Sequence, residues 1–246
     1  MKKTVIVMPV ANEEETMQEI IDQIMALPYD NLFLYPVIDS YSKDRTEEII
    51  RAAEETYHGR VRCIFHAESK GIVSCYLYGF SRALEDGAEY VIEMDGGGSH
   101  DPAAIPLFLA ALDEGYQCAW GSRYIEGGGL TNQPLYRRFL SSGGTLLSNF
   151  VLGTKLRDMT SGFEAFKASV LRKMDFSHFL SHGHMYQTDM RYYCRHCRAK
   201  EIPIHYIGGG SSLKFKSVKE ALKILFQLRK NEQYIWKMKK KPEDAV

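Results

Sequence analysis

The sequence lacks several features that would each point to a class of protein. It has no excess charge, because 31 basic residues match 31 acidic ones, so no overall field attracts nucleic acid or anionic lipid. Its five cysteines are an odd and scattered set in 246 residues, which favours a reducing compartment over a disulfide framework. It also has no unbroken apolar run of about 20 residues, the length that a membrane-spanning helix needs.

Two further absences narrow the class. The chain passes from Met1 directly into a strand-like segment, without the apolar stretch of a secretion signal. No Gly-x-Gly-x-x-Gly segment follows the first strand, which argues against a dinucleotide-binding enzyme. We therefore expect a cytoplasmic protein that binds no nucleic acid and at most lies on the inner face of a membrane.

Short apolar runs alternate with helical patterns through the N-terminal half of the chain. Asn12 is expected to cap the first helix, and Pro36 indicates an edge position or an irregularity in the second strand. The alternation predicts an α/β fold, with a central mostly parallel sheet and helices on both sides. The predicted strands of this half are residues 5–8, 32–38, 61–65 and 90–94.

The C-terminal half contains two long helical patterns. The first runs from Leu135 to Leu152 and is expected to be interrupted at Gly143 and Gly144. The second is basic and amphipathic, so residues 1–215 are predicted to form one domain and residues 216–246 a C-terminal helix and tail. This helix could lie in the headgroup region of a membrane, or it could pack on its own domain or on a second subunit. Both alternatives remain open at the level of sequence.

Polar residues follow three of the predicted strands, at the points where those strands end. They are Pro9 to Glu13 after the first strand, Asp39 after the second, and the segment from Asp95 to Asp101 after the fourth. Ligands bind at the carboxyl ends of the strands in open parallel sheets, so these residues are the candidates for a site. Each segment alone could also be an ordinary turn, since Asp, Asn, Ser and Gly are common turn residues.

An ordered set of motifs resembles the inverting family-two glycosyltransferases, and within them the dolichol- or polyprenol-phosphate mannosyltransferase or glucosyltransferase branch. The resemblance covers about residues 4–215. The segments that carry it are Val5 to Pro9 with Asn12 and Glu13, Val37 to Asp39 with Asp44 and Thr46, Asp95 with Ser99 to Pro102, Gly121 to Tyr124, Arg137 with Ser141 to Gly144, and Arg157 to Phe163. It implies a single nucleotide-sugar-binding, Rossmann-like domain of the glycosyltransferase A type.

The resemblance also implies a reaction and a set of site residues. A sugar would pass with inversion from a nucleotide-diphosphate sugar to a polyprenyl phosphate or related acceptor. Asp95 would hold a divalent cation, Mg²⁺ or Mn²⁺, and Arg123 would face phosphate, while Asp158 and Asp189 would lie near the sugar and act in catalysis beside Arg123. The acceptor would meet Arg137 and Arg138. The implied nucleotide-sugar-binding residues are Pro9, Ala11, Glu13, Asp39, Asp95, Gly96, Gly97 and Lys214.

One departure from the family pattern leaves an alternative function open. The metal motif of the family usually has a second aspartate where this chain has Gly97, so a cation would need other ligands such as Asp101 or His100. The alternative is a non-catalytic relative that binds a nucleotide sugar or a partner protein. A membrane-spanning partner protein could also supply the anchor that some family members carry in their own chain.

The chain contains one Cys-x-x-Cys pair, Cys194 and Cys197. No second pair lies at zinc-site spacing, so the pattern favours two half-buried thiols on a helix over a metal site.

Overall fold

The computed structural model describes residues 2–132, 134–181, 183, 185–208 and 215–236. Within these residues the main sheet has seven strands, and a second sheet pairs β6 (Gly129–Thr131) with β9 (His205–Ile207). The strands of the main sheet are β1 (Thr4–Val10), β2 (Leu32–Asp39), β3 (Ile64–His66), β4 (Tyr90–Glu93), β5 (Cys118–Ser122), β7 (Glu164–Lys167) and β8 (Ala199–Pro203). Their spatial order is β3-β2-β1-β4-β7-β5-β8.

Helices cover both faces of the sheet, as predicted. One apolar core lies under α1, α2 and α4, and the other lies under α3, α6, α7 and α8. The helices of the described chain are α1 (Met17–Met25), α2 (Thr46–Thr56), α3 (Ile72–Glu85), α4 (Ile105–Asp113), α5 (Leu135–Leu152), α6 (Ala168–Leu171), α7 (Tyr186–Tyr193) and α8 (Phe215–Ile235), with short 3₁₀ helices at Pro102–Ala104 and Phe176–His178.

The strand β1 lies in the middle of the parallel part of the sheet. It pairs in parallel with β2 on one side and with β4 on the other, and every residue of β1 is buried. A strand that is covered on both faces needs apolar side chains at successive positions, which is the pattern that residues 5–8 show. The carboxyl ends of β1, β2 and β4 therefore lie side by side at one edge of the sheet.

Pro36 marks an irregularity and not a sheet edge. The strand β2 lies between β1 and β3, and Pro36 pairs with Met8 of β1. On the side of β3, the amide of Arg62 donates to the Leu34 carbonyl, and regular pairing resumes only at Val37. The missing N–H of proline falls in this gap, where it breaks no ladder hydrogen bond.

The strand β7 runs antiparallel between β4 and β5. Because of this reversal, its first residue lies at the edge of the sheet where its neighbours end. The register places Glu164 directly opposite both Glu93 of β4 and Trp120 of β5. Two glutamates are therefore neighbours beneath the candidate site.

The helix α5 has its polar and apolar faces reversed relative to an ordinary surface helix. Thr145 and Ser148 are buried against the domain, whereas Phe139 is 76 % and Phe150 is 86 % exposed. The exposed apolar residues share one face of the helix, because they recur at helical spacing: Leu135, Phe139, Leu140, Leu146, Leu147 and Phe150. We call this set the outer face of α5.

The predicted interruption of α5 is wrong. The helix runs without a break through Gly143 and Gly144, and a Cβ at either position would meet open space. Glycine destabilises a helix mainly through backbone entropy, and here packing of the opposite face against the domain holds the helix together.

The helix α8 packs on its own domain along its described part. Leu225, Leu228 and Ile235 are buried in the core under α7, and Glu232 forms an ion pair with Arg195 at 2.7 Å. These apolar side chains pack in the core. This favours packing of the helix on its own domain over a position in the headgroup region of a membrane. No helix among the described residues has the length and apolarity to cross a membrane.

Candidate functional site

Asp95 follows β4 after one residue, Met94, and lies at the edge of the sheet where the parallel strands end. Its side chain is 30 % exposed, so the carboxylate reaches the cleft. The Tyr76 hydroxyl donates to Asp95 Oδ1 at 2.6 Å, and the Asp95 amide donates to His100 Nδ1 at 3.2 Å. The position after the strand was predicted, whereas the contribution of Tyr76 from α3 was not.

His100 is poorly suited to be a cation ligand. Because His100 Nδ1 accepts the Asp95 amide proton, the Nε2 atom carries the ring proton and has no lone pair for a metal. Burial lowers the pKa of His100, which keeps the ring neutral. Asp101 caps the adjacent 3₁₀ helix by accepting from the Ala103 amide through Oδ1 at 2.8 Å, and it is exposed. Asp101 as a replacement for the missing acid stays a prediction.

Glu13 supplies a carboxylate beside Gly97, where the family motif has its second acid. A Cβ atom at Gly97 would lie 3.3 Å from Glu13 Oε1. Burial, followed by the charges of Asp44 and Asp95, raises the pKa of Glu13. Three acids thus crowd one corner of the cleft, and a divalent cation would relieve their repulsion. The donor set is oxygen only, which is the set that Mg²⁺ and Mn²⁺ prefer, so the residues fit such a cation.

The loop that holds Glu13 is fixed by hydrogen bonds to the loop after β2. The Glu13 amide donates to Thr46 Oγ1 at 2.8 Å, and the Lys43 amide donates to Asn12 Oδ1 at 2.8 Å. Asn12 has a φ of 58° and does not cap α1, which begins only at Met17, so the predicted cap is wrong. Its side chain is instead used to join the two loops.

Asp39, Pro9 and Gly96 lie together at the ends of β2, β1 and β4. Asp39 Oδ1 accepts from the Tyr41 amide and from Ser69 Oγ, whereas Oδ2 has only a weak contact with a cysteine thiol at 3.8 Å. Pro9 is buried in β1, and a Cβ at Gly96 would lie 2.9 Å from its carbonyl oxygen. The glycine is therefore required for the close approach of the loop to β1.

Gly162 lies where Asp95 meets α7. A Cβ at Gly162 would lie 3.2 Å from Gln187 Nε2 and 3.3 Å from Asp95 Oδ2. Gln187 is half-buried, and its amide therefore lies near Asp95 on the far side of Gly162. Gln187 is in the first turn of α7.

Arg123 and Asp158 form a buried pair. Arg123 Nε donates to Asp158 Oδ2 at 2.7 Å, and Arg123 Nη2 donates to Asp158 Oδ1 at 2.8 Å. The same Nη2 lies within hydrogen-bonding distance of Thr160 Oγ1 and of Ser141 Oγ on α5. Burial acts to raise the pKa of Asp158, but the hydrogen bonds from Arg123 hold it below its ordinary value. Asp158 is fully engaged and not a free base, so its predicted catalytic role becomes a positioning role.

Asp189 is enclosed in the protein and does not line the cleft. Its side chain is fully buried, and its Oδ2 accepts from the Ser181 amide at 3.1 Å. Burial raises the pKa of Asp189 to about 7. The predicted catalytic role of Asp189 is therefore revised: its carboxylate holds the segment before α7.

Glu93, Glu164 and Arg191 form a fully buried charged cluster under Asp95. Arg191 Nη1 lies 2.7 Å from Glu164 Oε1 and also donates to the Ser161 carbonyl. Burial and the neighbouring Glu164 raise the pKa of Glu93 well above its ordinary value, and burial raises the pKa of Glu164 to about 8. The two carboxyl groups therefore hold protons more strongly than ordinary glutamates do, which limits the negative charge beside Arg191.

The raised pKa values of Glu93 and Glu164 lead to a prediction about stability. Above the ordinary range of a glutamate pKa and up to about pH 8, the folded chain retains protons on this pair that the unfolded chain has lost, so the free energy of unfolding falls as pH rises. We expect Glu93→Gln to flatten this dependence in urea unfolding measured from about pH 5 to about pH 8. Comparison of the variant with the parent separates the effect of Glu93 from that of His100, whose lowered pKa acts in the opposite direction. An unchanged slope would contradict a raised pKa for Glu93.

The remaining predicted site residues lie at the margins of the cleft or outside the described residues. Ala11 is half-buried in the loop after β1. Arg138 is exposed in the first turns of α5; Arg137 precedes it there, but its side chain is outside the part of the chain that is described. Lys214 also lies outside the described residues.

The fold is an α/β domain, and the candidate site lies where its parallel strands end. It is similar to the crystal structure of glucosyl-3-phosphoglycerate synthase from Mycobacterium tuberculosis in complex with Mn²⁺, UDP-glucose and phosphoglyceric acid. The TM-score is 0.67 at 15 % identity, over 94 % of this chain and 80 % of that one. At this identity the likeness concerns the fold, which is that of glycosyltransferases.

Sequence comparison gives the family. The model of glycosyl transferase family 2 matches residues 5–175, and the chain belongs to this family. It is 30 % identical to the polyprenol monophosphomannose synthase of Mycolicibacterium smegmatis, over 90 % of this chain and 84 % of that protein. It is 31 % identical to the undecaprenyl-phosphate mannosyltransferase of Micrococcus luteus, over 82 % of each. It is 29 % identical to the dolichol-phosphate mannosyltransferase of Pyrococcus furiosus, over 94 % of this chain and 64 % of that protein.

Proposed function

We propose that this chain transfers a sugar, with inversion, from a nucleotide-diphosphate sugar to a polyprenyl phosphate. The observation that carries the proposal is the Asp95 carboxylate, which reaches the cleft at the end of β4. The names of the similar proteins support it, since all three describe mannose transfer to a polyprenyl-type phosphate. Mannose is accordingly the first sugar to test.

Asp95 and Glu13 would hold a divalent cation, Mg²⁺ or Mn²⁺. When bound, such a cation neutralises charge on the departing diphosphate. Asp39 would accept a hydrogen bond from the nucleoside through Oδ2, whose present contact is weak. Gln187, near Asp95 on the far side of Gly162, would orient the sugar.

Arg123 would face phosphate, held in position by Asp158. A guanidinium that is fixed by two hydrogen bonds to a carboxylate loses little further freedom when it binds an anion. The acceptor phosphate is already anionic at neutral pH, so the reaction needs positioning of the nucleophile more than it needs a strong general base. Arg137 and Arg138, in the first turns of α5, would attract this acceptor.

The outer face of α5 is suited to rest on a membrane surface. Its large apolar side chains are exposed, while Ser141 on the opposite face lies 3.0 Å from Arg123 Nη2. A lipid acceptor is delivered from a bilayer, and an amphipathic helix can bury its apolar face at the headgroup boundary. The helix would then bring the membrane next to the arginine that meets the phosphate. We place the protein on the cytoplasmic face, in keeping with its free thiols.

We expect the double variant Phe139→Ser, Phe150→Ser to lose most of its binding to liposomes, because each ring contributes about 2 kcal/mol or more when buried in lipid. Sedimentation with vesicles that contain anionic lipid measures the bound fraction. Leu107→Ser is the matched control, since Leu107 is an exposed apolar residue on α4. Equal binding of both variants would contradict docking through α5 and would point to a membrane-spanning partner protein.

The function itself is tested by transfer of radiolabelled sugar. The chain is incubated with GDP- and UDP-linked sugars, with Mg²⁺ or Mn²⁺, and with polyprenyl phosphates in detergent or vesicles. The expected result is a product that partitions into organic solvent and is labile to mild acid. Calorimetry with nucleotide diphosphate and Mn²⁺ distinguishes an active transferase from a non-catalytic relative. Tight binding without turnover for any acceptor would identify the non-catalytic relative.

A further inference from the structure

Three cysteines from distant parts of the sequence meet at the end of the sheet opposite to Asp95. Cys118 is the first residue of β5, and Cys194 and Cys197 lie in the turn after α7. Their three sulfur atoms all lie within 4.8 Å of one another. The strand β5 runs from Cys118 to Ser122 at the site edge, a distance of about 13 Å, so the cluster is separate from the cleft.

The fold brings these thiols together through two local features. Cys118 is in register with Ala199 of β8, so Cys197, two residues before Ala199, comes close to the start of β5. The Cys197 amide donates to the Cys194 carbonyl at 2.8 Å and closes the turn between the two cysteines. The Cys-x-x-Cys turn therefore presents both of its sulfurs toward the strand.

The cluster is enclosed but can be reached by a small ion. Cys118 and Cys194 are fully buried, whereas Cys197 is partly exposed. Cys194 and Cys197 line a surface cavity of about 390 Å³, together with Arg195 and the exposed His196. An ion would enter from this cavity and meet all three sulfurs.

The convergence of three thiols indicates a metal ion better than it indicates a disulfide. A disulfide would join two of the sulfurs and leave the third without use, and all three are free in this structure. In a tetrahedral zinc site, with Zn–S distances of about 2.3 Å, the sulfurs lie about 3.8 Å apart, so the cluster needs to contract by at most about 1 Å. We infer that Cys118, Cys194 and Cys197 bind a zinc ion, whose fourth position faces the cavity.

A zinc ion at this place would be structural. It would tie the turn after α7 to β5 and to the edge strand β8. Gln187 lies in the first turn of the same helix, about 10 Å from Cys194, so the ion would also hold the helix that borders the cleft. The sequence missed the site because Cys118 precedes the Cys-x-x-Cys pair by a long interval. The prediction of two half-buried thiols on a helix is wrong, since Cys194 is fully buried and both lie in a turn.

The test is cobalt binding to the full chain, purified with reducing agent and without metal. Co²⁺ held by thiolates in a tetrahedral site gives a charge-transfer band in the near ultraviolet and intense visible bands, whereas Co²⁺ held by the carboxylates of the cleft gives neither. We expect one equivalent of Co²⁺ to produce these bands and Zn²⁺ to abolish them. In alkylation followed by mass spectrometry, the partly exposed Cys197 is expected to react in the metal-free chain and to be protected when zinc is bound.

Matched variants locate the ion. Cys197→Ser and Cys118→Ser are expected to weaken Co²⁺ binding by at least about a hundredfold, while Cys63→Ser, a half-buried cysteine outside the cluster, keeps it. Protection from alkylation in the parent chain gives an answer even if Cys118→Ser does not fold. The inference fails if the fully reduced chain shows no charge-transfer band. It also fails if zinc does not slow the alkylation of Cys197.

Discussion

Asp95→Asn is expected to lower the rate of sugar transfer by on the order of a thousandfold while the chain remains folded. Asparagine keeps an oxygen that can accept from the Tyr76 hydroxyl, so the local packing is maintained. It removes the negative charge that faces the cleft at the end of β4. The measurement is kcat/KM for the nucleotide sugar at saturating Mn²⁺, together with a thermal melt.

Tyr76→Phe provides a graded control for this prediction. The ring remains in the core of α3, and only the hydroxyl that donates to Asp95 is lost. We expect a decrease of about tenfold, because one hydrogen bond to a charged group contributes about 1.5 kcal/mol and the carboxylate itself remains. If Asp95→Asn keeps more than a tenth of the parent activity, Asp95 does not hold the donor and the proposed site is wrong.

Glu13→Gln is expected to weaken Mn²⁺ binding and transfer by about a hundredfold, because the chain would lose one of the two carboxylates proposed to hold the cation. Gly97→Asp alone is expected to bring no gain, since a side chain there would start 3.3 Å from Glu13 Oε1 and add a further negative charge. The combination of both substitutions is expected to recover activity, because the acid then returns to the position that the family motif uses.

Titration of activity with Mn²⁺ measures the effect of moving the carboxylate from position 13 to position 97. Calorimetry with Mn²⁺ and nucleotide diphosphate measures the same effect on binding. Glu14→Gln is the matched control, since Glu14 is an adjacent acid that pairs with Arg45 on the outside of the loop. If Glu13→Gln leaves the Mn²⁺ dependence unchanged, or the double variant is no better than Glu13→Gln, the second carboxylate is not Glu13.

The sequence was sufficient to predict the architecture and to bring the candidate site residues of three strands to one edge of the sheet. Buried parallel strands require apolar runs, and the polar residues at their ends are then fixed at one edge, as Asp39 and Asp95 are. The absence of the family's second acid at Gly97 could be recognised from sequence. The presence of the Glu13 carboxylate beside Gly97 could not, because it depends on the packing of two loops.

Other features depend on contacts that no local pattern encodes. Arg123 and Asp158 were each predicted to contact substrate. In the structure they pair with each other, and each restricts the conformations of the other side chain. The burial of Asp189 depends on the segment around Ser181 that covers it. The antiparallel direction of β7, which sets Glu164 beside Glu93, likewise follows from tertiary pairing. A local sequence pattern does not specify the direction of a strand.

The reversed polarity of α5 has a consequence for how the enzyme finds its acceptor. One side of this helix would rest on lipid, and Ser141 on the other side touches the Arg123 guanidinium. The search for the acceptor then takes place in two dimensions, along the bilayer. Turnover would follow the mole fraction of polyprenyl phosphate in the leaflet and not its bulk concentration, and dilution of that lipid with inert phospholipid would slow the reaction at constant total acceptor.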